Sequence, residues 1–238
     1  MPQPPYSRIL ARAVPRFPLA AALSLSFVTF VPAPVQAHPH EFIDTRLTLH
    51  FGEAGKLEGV GVEWRYDAFT SMLILADLGL DPAAETLDEA DAATLSGFDT
   101  NWVEGYNGDL WPAQGETEIV LGGPEEGRAR LEAGEIVSHH WRRVLNPVDP
   151  AAMPLSIRVF DPEYFIAYTI ADHARFEGRD DCRSRLFGPD LDQANERLQA
   201  ALDELYAGGI TDIEANFPAV GAHFAEELVI ECGPAIGG

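Results

Sequence analysis

The residues best suited to chemistry are His38-Pro39-His40-Glu41. They gain that role only if His38 is a chain terminus, and the segment ahead of them predicts that it is. Arg8, Arg12 and Arg16 stand there without an acid, followed by an apolar stretch over residues 19–31 and then Val35-Gln36-Ala37, the small-residue spacing that signal peptidase reads. Cleavage after Ala37 frees an amine whose pKa lies near 7.7 to 8.0 when unperturbed, so the amine and the imidazole of His38 can chelate one ion. A cut after Ala33 fits less well, because it would place Pro34 first. Pro39 holds His38 extended. Residues two apart on an extended chain share a face at about 6.6 Å, which lets His40 reach an ion held by His38. Nitrogen ligands of this kind suit copper, nickel or zinc better than magnesium or calcium. The competing reading is an exposed tail whose histidines bind nothing.

Two further histidines are candidates for the same site. His139-His140-Trp141 falls in a strand, where neighbours face opposite sides, so one of the pair, His140, is the candidate. Asp172-His173 has the form of a carboxylate-imidazole unit, which makes His173 another. The metal set expected from sequence is therefore His38, His40, His140 and His173, holding nickel, cobalt, zinc or copper. Nucleophilic catalysis finds no support, since there is no Gly-x-Ser-x-Gly turn and no phosphate-cradling glycine loop. Cys182 and Cys232 are the only cysteines. In an exported chain a disulfide is their default state, and a loop of that length is worth about 4 kcal/mol on the chain-entropy model.

The elements that must position these residues follow from periodicity. Ile43, Thr45, Leu47, Leu49 and Phe51 alternate with Phe42, Asp44, Arg46, Thr48 and His50, the mark of a half-buried strand. After a turn over residues 52–55, Val60, Val62, Trp64 and Tyr66 alternate likewise, predicting an antiparallel hairpin. Residues 68–78 become apolar at helical spacing, and a second helix is expected over residues 85–95. Strands are expected over residues 117–121, 135–144 and 156–160, the last pairing with residues 164–170 across Asp161-Pro162-Glu163. Asp190 reads as the N-cap of a long amphipathic helix with the stripe Leu191, Ala194, Leu198, Ala201, Leu202 and Leu205, stopped by Gly208-Gly209. A strand over residues 228–232 ends the pattern. Grouped strands with inserted and C-terminal helices predict an α+β fold with a largely antiparallel sheet, in a single exported domain over residues 38–238.

The net charge of −22 becomes −25 once three leader arginines are removed. So acidic a chain disfavours nucleic acid and anionic lipid as partners. No segment after the leader is long and apolar enough to span a bilayer. Fifteen Asp or Glu against two Arg fall within residues 77–135. Asp77, Asp81, Glu85 and Glu89 are arranged somewhat like a cation loop, but the central glycine of a helix-loop-helix calcium site is missing, and a solvated acidic face is the better reading.

Three motifs taken in order carry a resemblance to a known family. They are His38-Pro39-His40-Glu41-Phe42-Ile43-Asp44, Val62-Glu63-Trp64-Arg65-Tyr66-Asp67 and Phe160-Asp161-Pro162-Glu163-Tyr164-Phe165. The chain resembles a bacterial family of unknown function, DUF1007, whose members are usually labelled periplasmic components of an uncharacterised ABC-type transport system. The resemblance covers most of the chain after the leader. It implies a periplasmic location and, because members are often encoded beside nickel/cobalt-type permeases, a role in transition-metal handling with an inner-membrane metal permease as partner. The expectation is a non-catalytic metal-binding or metal-delivery protein. Its rivals are a copper-dependent oxygenase with an N-terminal histidine chelate, and a protein-interaction module that uses the acidic segment.

Overall fold

Alternating side chains lay the first two strands against each other. β1 (Glu41–Phe51) pairs antiparallel with β2 (Leu57–Tyr66), with Ile43 opposite Tyr66 and Leu49 opposite Val60. The computed structural model describes residues 39–171 and 173–233, so the leader, His38 and Asp172 lie outside the described residues. β2 ends at Asp67, whose carboxylate accepts the N–H groups of Phe69 and Thr70 and so caps α1 (Ala68–Asp77). α2 (Glu89–Leu95) starts later than its composition predicts, because Asp88 accepts the N–H groups of Ala90 and Asp91 and fixes the first turn there.

Four strands follow: β3 (Leu110–Gln114), β4 (Thr117–Glu118), β5 (Leu121–Glu132) and β6 (Glu135–Val148). β7 (Leu155–Val159), β8 (Ile166–Ile170), β9 (Arg175–Glu177) and β10 (Cys182–Phe187) precede α3 (Leu191–Ala207), and β11 (Glu227–Cys232) comes last. They form two sheets. The first runs β5-β6-β2-β1-β8, with β9 also on β1, and the second runs β10-β11-β7-β3-β4. All pairings are antiparallel except those of β8 and β9 with β1. The α+β class with largely antiparallel sheet is as expected. Leu47, Leu49, Val62 and Trp64 of the first sheet share one buried cluster with Leu155, Ile157, Leu228 and Ile230 of the second. α3 begins at its Asp190 cap and packs Ala194 and Leu198 on Val220 and Phe224.

One expected pairing is overturned. β7 and β8 do not form a hairpin, because the Asp161 carboxylate accepts the N–H groups of Glu163, Phe165 and Ile166 and, with Tyr164 in the left-handed region at φ 56°, turns the chain out of the sheet. Both edges of β7 are taken by β3 and β11, while β1 offers a free edge that β8 fills in parallel, Glu41 opposite Ile166. The cysteines join as expected: Cys182 and Cys232 are directly opposed on β10 and β11 and form a disulfide across 50 positions. No helix among the described residues is long and apolar enough to cross a membrane.

Candidate functional site at the start of the first strand

β8 locks β1 from its first residue. The His40 N–H donates to the Phe165 carbonyl at 2.8 Å, and that of Glu41 reaches the same oxygen at 3.4 Å. The His40 ring lies on Phe165, with centroids 4.6 Å apart. Its Nε2 stands 3.3 Å from Oε1 of Glu214, which a short 3-10 turn (Glu214–Asn216) between α3 and β11 carries to this end of the sheet. Other carboxylates gather around the same point. Half-burial first, then the charges of Asp67 and Asp161, raise the pKa of Glu41 against the opposing influence of His40. Burial would also raise that of Asp67, but N–H groups of Thr70, Phe42 and Phe69 and the Thr70 hydroxyl hold it below the usual carboxylate value.

The other histidines lie elsewhere. Val62 pairs with His140 on one side and Leu47 on the other, which puts His140 seven residues along β1 from His40 and two strands across, roughly 25 Å away, on the inner face. There its ring is 1 % exposed between Trp64 at 4.8 Å and Trp102 at 5.3 Å, and neither ring nitrogen has a hydrogen-bond partner among the described residues. Burial, assisted by the charges of Arg142 and His139, pushes its pKa down to about 3. His173, two residues before the Arg175 that pairs with Thr48, is equally far up β1, exposed on the outer face. It lines a groove of about 720 Å³ with Arg46, Arg128, Arg130, His139 and Arg175. Trp141 bounds that groove by lying over Gly59, where a Cβ would stand 1.8 Å from Cζ2 of the indole. His40, His140 and His173 are therefore not brought together. Among the described residues no three or more His, Cys, Asp or Glu side chains are grouped to hold a metal.

Sequence reading missed Glu214, the buried Asp109 and the half-buried Asp99. Asp109, with φ 53°, accepts hydrogen bonds from the hydroxyls of Tyr106 and Tyr168 at 2.9 Å, and burial pushes its pKa up to about 6. Asp99 accepts from the hydroxyls of Tyr66 and Ser138, and burial raises it as well. Positive φ at a non-glycine residue is visible only in the backbone. Nothing in the chain between His40 and Glu214 signals their contact.

The sequence model of a protein family described as "Protein of unknown function (DUF1007)" matches residues 23–232. An uncharacterized protein of Haemophilus influenzae is 24% identical over 213 residues, covering 88% of this chain and 98% of that one. Among solved structures, Biomphalaria glabrata acetylcholine-binding protein type 1 is similar over 85% of this chain and 89% of its own, at a TM-score of 0.37 and 9% identity.

Proposed function

We propose that this chain, which belongs to the DUF1007 family of proteins of unknown function, is a non-catalytic periplasmic protein that binds a transition-metal ion at its processed N-terminus and delivers it to an inner-membrane permease. The observation that carries this reading is the pair His40 Nε2 and Glu214 Oε1, 3.3 Å apart and anchored at the first rung of β1. An imidazole nitrogen and a carboxylate oxygen this close are donors that one ion could bridge, and zinc accepts both ligand types. The His38 amine and imidazole would complete the donor set, and the ordered backbone of His40 weighs against a passive tail.

Titration calorimetry of the mature protein with zinc tests the reading. One alanine inserted before His38, His40→Ala and Glu214→Gln should each weaken binding at least about tenfold, since each removes or displaces a ligand. Affinity should also fall as acid protonates the amine and imidazoles. Zinc binding indifferent to all three changes would overturn the proposal. Dioxygen consumption by the reduced, copper-loaded protein would establish an oxygenase instead.

A further inference from the structure

Helix α1 is built inside out. Its buried side chains include Thr70 and Ser71 as well as Leu75, whereas Phe69, Met72 and Leu73 are 61, 37 and 51 % exposed. The inward hydroxyls are satisfied: Ser71 Oγ donates to the Tyr66 carbonyl and accepts the Ile136 N–H at 2.9 Å, and Thr70 Oγ1 donates to Asp67. Leu75, with Ile74 and Leu78 beside it, joins the core as well, and a second apolar stripe, Phe69, Met72 and Leu73 at i, i+3 and i+4, faces water. Phe42 at the start of β1 is 54 % exposed too, and its N–H and that of Phe69 bond to the two oxygens of the same Asp67 carboxylate, which ties the strand to the start of the helix. Beside Leu73 opens a cleft of about 310 Å³, lined also by Ile74, Asp77, Leu78 and Phe98. No described residue forms an ion pair with Asp77. A contiguous apolar patch around a cleft marks an interaction site, where singly scattered apolar residues would not.

Charge selects the occupant. The 62 residues from Tyr66 to Gly127 hold fourteen Asp or Glu and no Lys, Arg or His. Asp77 lines the cleft and the exposed Asp81 and Glu85 follow α1 directly, so a second copy would set like charges against each other at this face, and anionic lipid headgroups would meet the same repulsion. We infer that α1 and its cleft form a docking site for a polypeptide segment that places one apolar side chain in the cleft and a neighbouring Lys or Arg against Asp77. Only the identity of that partner as a permease rests on the delivery reading; the docking chemistry does not.

The test titrates the mature protein, at about 150 mM salt to screen diffuse attraction, with two labelled amphipathic helices of equal length, one of Leu and Lys and one of Leu and Glu. The Leu/Lys peptide should bind, protect the amides of residues 69–78 from hydrogen exchange, and lose about tenfold in affinity with Leu73→Ser or Asp77→Asn. The Leu/Glu peptide should not bind. Both variants alter exposed or rim side chains, and their unchanged melting and zinc affinity would show an intact fold. Peptide binding that neither variant weakens, or protection elsewhere, would overturn the inference in favour of diffuse acidic attraction. Binding to phosphatidylcholine vesicles lost in Leu73→Ser would overturn it in favour of a membrane surface, and a dimer lost in that variant would overturn it in favour of a second copy. Failure of zinc binding with peptide docking intact would refute the delivery reading alone.

Discussion

A buried imidazole with neither nitrogen hydrogen-bonded is costly, and His140 accepts that cost only by staying neutral. A histidine in the unfolded chain titrates near about 6.5. Between that value and the folded value of about 3, the unfolded chain takes up a proton that the folded one refuses, so stability from this residue falls as pH drops through that window. Asp109 works in the opposite sense. Its folded pKa of about 6 lies above the roughly 3.9 of a free Asp, so its contribution falls as pH rises across that narrower range. His140→Phe should stay within about 1 kcal/mol of wild type at neutral pH, since an apolar ring replaces an unsatisfied polar one. Its stability relative to wild type should then climb as pH falls from about 6.5 to 4. Urea unfolding at several pH values reads this difference, and a pH-independent difference would mean that the native imidazole is bonded or charged. The sequence places His139 and His140 on opposite faces, but it cannot choose the buried one. Ser138, His140 and Arg142 make the inner face of β6 as polar as the outer, so periodicity is silent there.

At the scale of elements, legibility followed apolar alternation. β1 and β2 alternate along their whole length and read cleanly. β5, with the sequence LGGPEEGRARLE, is an edge strand with little buried on either face, so its sequence shows no alternation and no strand is expected between residues 121 and 135. β7 and β8 read as a hairpin because Asp161-Pro162 has turn chemistry, but a turn does not say which free edge a strand will find. The α1 cap was equally silent in its second role, since Asp67 also accepts the N–H of Phe42 on β1. Asp67→Ala should therefore cost more than the roughly 1 kcal/mol of an ordinary cap, up to about 2, read as a lowered thermal midpoint. The disulfide closes a loop containing all of α3. Cys182→Ser should lower stability by about 2 to 5 kcal/mol, and an unchanged denaturation midpoint would mean that β10 and β11 pair as tightly without the bridge.

Over the whole molecule, charge is segregated. Six of the twelve arginines beyond residue 37 (Arg46, Arg65, Arg128, Arg130, Arg143 and Arg175) lie on the outer face of the first sheet. Several pair there with glutamates, as Arg130 does with Glu63 at 3.3 Å and Arg65 with Glu135 at 3.1 Å. Exposed pairs of this kind contribute about 0 to 1 kcal/mol each, whereas the summed negative charge acts against the compact state as a whole. Self-repulsion should dominate, so the melting temperature should rise when salt increases from about 10 to about 150 mM, shortening the screening length from about 30 to about 8 Å. A fall would mean that the arginine face contributes more than the excess acid costs.

The parallel seating of β8 on β1 also sets a timetable. The β1–β2 hairpin is local and can close within microseconds, but Glu41 waits for Ile166, which leaves the ribosome 125 residues later. Until then β1 presents an unpaired edge and an unfinished core, a state prone to pairing with another chain. Refolding should therefore show an early phase in which the hairpin amides become protected. A later, slower phase should protect residues 166–170 together with the outer edge of β1, and weakening β8, for example by Ala167→Gly, should slow that phase and increase aggregation along the way.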